Sequence, residues 1–135
     1  MKITPICANL FARLLARFWK GRDAQRGIAA EIAQRRKTRV IVVPELNVLG
    51  MRPLGMTMGE NIFIPEGSEN DALMLAHELV HIEEQWRKYG DAFALLYLFE
   101  LLRAGLRDGW GRAYLGNKFE REAYAKQNEY LKQLS

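Results

Sequence analysis

Large apolar side chains recur every fourth residue near the start of the chain, which predicts an amphipathic helix over residues 5–20. This stripe comprises Ile6, Leu10, Leu14 and Phe18. Arg13 and Arg17 are expected on the opposite face of the helix. A second helix is predicted over residues 21–37, so residues 1–37 form an N-terminal helical part.

The centre of the chain changes to the short apolar runs that are typical of β-strands. Val40-Ile41-Val42-Val43 is β-branched and is followed by a proline, which predicts a strand that ends there. Residues 54–58 and 62–65 flank Gly59-Glu60-Asn61, which predicts a hairpin. We therefore expect a sheet of about three strands within residues 38–66.

Helical spacing returns in the second half of the chain. A helix is predicted over residues 69–89, with its start near Ser68. A very apolar helix is predicted next, to about residue 104, capped by Asp91 and buried in the core. Residues 105–116 are rich in glycine and are expected to be irregular, after which Asn117 is expected to cap a last helix.

These elements predict a single α+β domain over residues 1–135, mostly helical with a small sheet ahead of the third helix. A chain of 135 residues can bury one hydrophobic core. Its 27% of charged residues is ordinary for a soluble globular domain. No linker-like segment separates the N-terminal helices, the sheet and the helical part at residues 67–135.

The net charge of +4 is mildly basic, and much of the excess lies in the first forty residues. A basic amphipathic segment favours anionic partners, so peripheral membrane contact through residues 6–19 is one interpretation. A solvated helix face is the other. Aromatic residues do not interleave with the basic ones as in a base-stacking surface, so nucleic-acid binding is not expected.

The single cysteine, Cys7, leaves no internal disulfide and no cysteine-based zinc site to consider. The apolar stretch at residues 6–19 is interrupted by two arginines and is not a convincing signal peptide. The sequence contains no run of about twenty apolar residues, which is the length needed to span a membrane. A cytoplasmic location is the resulting expectation.

Candidate chemistry is concentrated in His77-Glu78-Leu79-Val80-His81, which contains both histidines of the chain. Residues four apart share one face of a helix, so both imidazoles can reach one metal ion. Glu78 can then reach a water molecule bound to that ion. The alternative is a pair of core histidines satisfied by hydrogen bonds, but a buried Glu78 would then also need a partner. The spacing favours a zinc site.

The third protein ligand of such a site must be a carboxylate, because the chain has no third histidine and no second cysteine. The downstream candidates are Glu100, Asp108, Glu120, Glu122 and Glu129. Asp91 suits the role less, since it is expected to cap a helix. Glu120 has a second interpretation, because it can complete a capping box with Asn117.

The motif, followed by Asn117-Lys118-Phe119-Glu120-Arg121-Glu122-Ala123, resembles the gluzincin metallopeptidases. The closest resemblance is to small bacterial and phage gluzincin-like domains, whose wider pattern Gln85 and Arg87 also match. It covers roughly residues 40–130. The chain is distantly similar to the CaaX-prenyl-protease type, in which the first residue of E-x-x-A-D binds the metal. Tyr124 stands in place of that aspartate here.

This resemblance implies a minimal zincin-like fold and a Zn2+ cofactor bound by His77, His81 and Glu120. It also implies hydrolysis of a peptide or protein substrate with Glu78 as general base. Tyr114, Tyr124 and Arg112 are candidates for stabilising the oxyanion, and the hairpin offers an edge to which an extended peptide could add. The alternative function is a zinc-stabilised binding module without turnover.

Overall fold

The computed structural model describes residues 2–134 as an α+β fold with a small sheet between helices. The strands are β1 (Arg22–Asp23), β2 (Arg39–Val43), β3 (Met56–Met58) and β4 (Asn61–Pro65). The helices are α1 (Ile6–Phe18), α2 (Gly27–Arg35), α3 (Ala72–Val80), α4 (Arg87–Tyr89), α5 (Ala92–Asp108), α6 (Ala113–Gly116) and α7 (Lys118–Leu134). The predicted α+β class, mostly helical, is confirmed, since 61% of the residues are helical.

The sheet has four strands in the order β1-β2-β4-β3. Its two central strands, β2 and β4, are parallel, with Val40 beside Ile62. The predicted hairpin is present as β3 and β4, which are antiparallel and turn at Gly59 with φ 64°. The helix predicted over residues 21–37 is wrong at its start, because the chain after α1 pairs Arg22 with Val42 and forms β1.

Side chains alternate between the two faces of the sheet, and helices cover both. Ile41, Val43 and Phe63 pack with Ala12 and Ala16 of α1. On the other face the larger part of the core joins the sheet to α2, α3 and α7. Its sheet and α3 members include Val40, Val42, Ile62, Ile64, Leu75 and Leu79. This arrangement fixes α3 against the sheet.

Helix α1 contacts the sheet through small residues and Leu15, not through the large apolar stripe. Ala8, Ala12 and Ala16 are buried. The stripe residues Ile6, Leu10, Leu14 and Phe18 are each more than half exposed. With 3.6 residues per turn, Arg13 and Arg17 lie beside this stripe, so their predicted placement opposite it is wrong.

The prediction that α5 is buried is wrong for its outer side. The exposed side chains are Leu95, Leu98, Phe99, Leu102 and Leu106, while Phe93 and Glu100 are buried. α5 also continues past residue 104 to Asp108, and Gly105 within it lies against the Trp110 ring, which a Cβ at this position would approach to 2.3 Å. The stretch expected to be irregular forms the end of α5, a 3-10 turn (Trp110–Arg112) and α6.

Asp91 caps α1 instead of the predicted α5. Its two carboxylate oxygens accept hydrogen bonds from the backbone N–H groups of Cys7 and Ala8, at 3.0 and 2.8 Å. The first turn of α1 thus receives its missing acceptors from a residue 83 or 84 positions away. In the part of the chain that is described, no helix combines the length and apolarity needed to cross a bilayer.

Candidate metal centre

Three side chains predicted to bind a metal ion, His77, His81 and Glu120, converge between α3 and α7. The Nε2 atoms of His77 and His81 lie 3.0 and 3.2 Å from Oε1 of Glu120. One ligand atom from each residue lies within 4.8 Å of the other two, and all three side chains are buried. The structure therefore brings together the three residues that the sequence motif and the gluzincin resemblance select.

These side chains are positioned by two helices, each of which begins at a well-defined capping residue. Asp71, not Ser68, caps α3, because its Oδ1 accepts from the backbone N–H of Met74 at 3.2 Å. Asn117 begins α7 as predicted, since its Oδ1 accepts from the N–H of Phe119 at 2.8 Å. From His81 to Trp86 the helix widens into a π-helical segment, a feature that is concentrated at functional sites.

The imidazole of His81 is oriented by Gln85. Its Nδ1 lies 2.6 Å from Oε1 of Gln85. The Nε2 of Gln85 donates to the carbonyl of Phe119 at 2.9 Å and to Oε1 of Glu122 at 2.8 Å, which fixes the orientation of the amide. A neutral His81 therefore carries its proton on Nδ1 and keeps the Nε2 lone pair for a metal ion.

The imidazole of His77 has an equivalent partner, Gln127, whose Oε1 lies 2.9 Å from Nδ1. Sequence reasoning missed Gln127, although it follows Glu120 by seven residues and so shares a face of α7 with it. Tyr124, which replaces the aspartate of the related motif, packs its ring against His77 with centroids 4.6 Å apart. Both imidazoles are thus held by a glutamine on the side away from Glu120.

Glu120 is held on its second oxygen by Tyr97 of α5. The Tyr97 hydroxyl donates to Oε2 at 2.6 Å. Burial and the charge of Glu120 raise the pKa of Tyr97, so the hydroxyl remains a donor. Both oxygens of Glu120 are therefore engaged within the site, and its interpretation as part of a capping box is wrong. Tyr97 was missed because its position in an apolar run gives no signal of its own.

The other carboxylates that were considered as ligands lie elsewhere. Glu122 accepts from Gln85, and Glu100 is buried 3.6 Å from Arg103. Asp108 pairs with Arg107 at 2.9 Å, and Glu129 is exposed. Among residues 2–134, His77, His81 and Glu120 form the one group of three such side chains that come close enough to share a metal ion.

Two of the candidates for stabilising an oxyanion differ in their surroundings. The Tyr114 side chain is 46% exposed, and partial desolvation and the charge of Glu120 raise the pKa of its hydroxyl. Arg112 lies near Asp108, whose pKa is lowered first by the hydrogen bond from Arg107 and to a smaller extent by Arg112.

The electrostatics of the site favour a bound positive charge. Burial opposes ionisation of Glu120, but the hydrogen bonds from His77 and His81 outweigh it and lower the pKa of this carboxylate. Burial also opposes a charged His81, yet the hydrogen bond to Glu120 and the charge of Glu78 raise the pKa of this ring to about 9. The pKa of Glu78 is raised by its burial.

The donor set also fits a divalent metal ion by its geometry. In a tetrahedral site with bonds of ~2.1 Å, the ligand atoms lie about 3.4 Å apart. The Nε2–Oε1 distances of 3.0 and 3.2 Å are close to this spacing. Two imidazoles and a carboxylate, each with an outer hydrogen-bond partner, form a typical ligand set for such an ion.

A scan against protein-family models found no matching family, and comparisons with the curated proteins and with the solved structures found no match either. The gluzincin resemblance rests on two short segments, residues 77–81 and 117–123, and the structure brings the proposed ligands of both together between α3 and α7.

Proposed function

We propose that the chain is a zinc-dependent metallopeptidase with a gluzincin-like fold. His77, His81 and Glu120 hold the zinc ion, and Glu78 is the general base. The observation that carries the proposal is the convergence of both Nε2 atoms on one oxygen of Glu120, beside a buried Glu78 on the same helix. Zinc is the default metal for this combination of nitrogen and oxygen ligands.

Glu78 performs the proton transfers in this proposal. Zinc, when bound, supplies a Lewis acid that polarises a carbonyl oxygen and lowers the pKa of water. Glu78 takes the proton from the attacking water and passes it to the amine that leaves when the peptide C–N bond breaks. Burial raises the pKa of Glu78, which suits a group that must first accept and then donate a proton.

The edge strand β3 supports the proposal of a peptide substrate. It is an outer strand of the sheet, with β4 as its one strand partner. The residue before it, Gly55, lies against the general base, since a Cβ there would come within 3.3 Å of Cγ of Glu78. An extended peptide that adds to β3 would therefore lie close to Glu78.

This placement of the substrate is tested by replacing Met58 or Thr57 with proline. Either change is expected to weaken peptide cleavage, because proline disturbs the edge, while metal content stays at one ion per chain. Thr57 accepts a hydrogen bond from Trp86 at 3.2 Å and Met58 packs against the core, so near-UV circular dichroism of each variant must first establish that it is folded. Undiminished cleavage in both variants would contradict the proposal that the substrate adds to β3.

The burial of the site favours a second candidate, a zinc-stabilised binding module without turnover. His77, Glu78 and His81 are 8%, 7% and 4% exposed, and Glu120 is 3% exposed. Structural zinc sites are closed, whereas catalytic sites keep a position open to water or substrate. The two functions share the same metal ligands and differ in the role of Glu78.

Glu78→Gln separates the two functions. The zinc-loaded variant and the wild type would be incubated with a complex peptide mixture, and new termini would be counted by mass spectrometry. We expect both proteins to bind zinc and the variant to lose about 100-fold or more of the cleavage rate. Glu84→Gln, with the same charge change but a lysine partner outside the site, is the matched control. Equal cleavage by Glu78→Gln would contradict the peptidase, and no cleavage by the zinc-loaded wild type would favour the binding module.

A further inference from the structure

The outer side of α1 presents large apolar side chains that no other element within residues 2–134 covers. Ile6, Leu10, Leu14 and Phe18 are 62%, 53%, 62% and 80% exposed, and Phe11 is 49% exposed. We call these five residues the α1 face. They lie on neighbouring turns of one helix, so they form a continuous surface and not the scattered exposures that are normal on a protein.

The border of the α1 face is positively charged and uncompensated. Arg13, Arg17 and Lys20 are exposed, and within residues 2–134 none of them lies within ion-pair distance of a carboxylate. The first 22 residues of the sequence contain no aspartate or glutamate. Asp91, which approaches the start of α1, is engaged by two backbone N–H groups.

Helix α5 also exposes large apolar side chains, but its charges are balanced. Arg103 lies 3.6 Å from Glu100, and Arg107 lies 2.9 Å from Asp108. Of the two helices, α1 alone therefore combines an apolar surface with positive charges that lack a partner. A surface that covers the α1 face must therefore offer both apolar contacts and negative charge.

We propose that the α1 face docks on an anionic lipid bilayer. An amphipathic helix with apolar residues on one side and arginines at the border lies in the interface between headgroups and acyl chains. Anionic headgroups would compensate the border charges. A second copy of the chain fits less well, because a two-fold contact through this face would bring arginines against arginines. The proposal goes beyond the peptidase function and does not depend on the metal site.

The test is flotation of the intact protein with vesicles of phosphatidylglycerol and phosphatidylcholine in equal parts, and with pure phosphatidylcholine vesicles. Leu14→Gln with Phe18→Gln removes apolar surface from the α1 face, and Leu98→Gln with Leu102→Gln does the same on α5. Arg13→Glu with Arg17→Glu reverses the border charge. Arg35→Glu with Lys37→Glu makes the same charge change elsewhere on the surface. Near-UV circular dichroism establishes that each variant is folded.

We expect binding to the anionic vesicles and weak binding to the neutral ones. Each of the two α1 variants should lower the partition coefficient about ten-fold or more, whereas the two control variants should bind like the wild type. Cys7 is exposed on α1 and is the single cysteine of the chain. An environment-sensitive fluorophore attached there should shift its emission to the blue on anionic vesicles.

Three results would overturn the proposal. The first is failure of the folded wild type to float with anionic vesicles, which would leave the α1 face to a protein partner. The second is undiminished binding by both α1 variants. The third is an equal loss of vesicle binding by the Leu98→Gln, Leu102→Gln variant, which would show that binding is not specific to α1.

Discussion

Two regions of the molecule depart in opposite ways from the usual burial of apolar residues and exposure of polar ones. One is the helix pair α3 and α7, and the other is the pair of outer helices α1 and α5. Between α3 and α7, polar and ionisable side chains are buried, among them His77, His81 and Glu120. On α1 and α5, large apolar side chains such as Phe18 and Leu106 are each 80% exposed. Buried charge and exposed apolar surface both cost stability when nothing compensates them.

The two regions differ in how far the fold itself compensates that cost. The three proposed ligands, His77, His81 and Glu120, all have hydrogen-bond partners, and residues 2–134 contain no fully buried side-chain nitrogen or oxygen without one. The outer apolar faces have no such partner within the described part of the chain. Our two proposals follow this difference, with a small ligand held between α3 and α7 and a large surface that covers α1 from outside.

The largest effect is expected from Gln85→Leu, which would remove the hydrogen bonds that orient His81 in the buried site. His81 would lose the acceptor that orients it, and the carbonyl of Phe119 would lose its donor. We expect zinc affinity to fall about 10–100-fold, as for other outer partners of metal ligands. Competition with a chromophoric chelator measures this. Gln127→Leu, which removes one hydrogen bond from His77, should have the smaller effect, and equal affinity in all three proteins would contradict the account.

The inner and outer sides of α1 provide the next comparison. Ala12→Leu adds apolar surface where the helix meets the sheet and should lower the free energy of unfolding by about 1–3 kcal/mol through overpacking. Leu10→Gln removes apolar surface from the outer side and should change it by less than about 0.5 kcal/mol. Urea denaturation measures both. A larger destabilisation by Leu10→Gln would mean that the α1 face is covered within the fold.

The smallest effect is expected from Tyr97→Phe, which tests how much the hydrogen bond from Tyr97 to Glu120 contributes to zinc binding. The variant keeps the ring and removes the hydrogen bond to Oε2. A hydrogen bond to a charged group contributes about 1.5–3 kcal/mol at most, and rearrangement of Glu120 toward a metal ion would recover part of it. We expect a several-fold loss of zinc affinity by the same chelator competition. An unchanged affinity would show that Oε2 needs no donor.

The sequence predicts the elements whose signals are local. Val40-Ile41-Val42-Val43, the hairpin at Gly59 and the cap at Asn117 all lie where they were predicted. It fails where distant residues decide the outcome. Asp91 is followed by a helix, yet it binds the N–H groups of a helix more than eighty residues away.

The same division holds for the candidate site. The spacing of His77 and His81 is local and places them on one face without tertiary information. Glu120 was selected by resemblance to a motif, because five carboxylates were open to the residue argument alone. Tyr97 reaches the site only through the packing of α5 against α7, which no pattern in the sequence encodes. The exposure of α5 was missed because periodicity identifies an apolar side and not what covers it.

The proposed zinc site is tested by the metal content of the purified protein, measured by plasma mass spectrometry with Glu120→Ala and Glu129→Ala beside the wild type. Glu129 is the matched control, because it lies on the same helix as Glu120 and is exposed. We expect one zinc ion per chain in the wild type and in Glu129→Ala, and loss of zinc from Glu120→Ala. A folded wild type that binds no metal after zinc is added back, or full retention of zinc by Glu120→Ala, would contradict the proposed site.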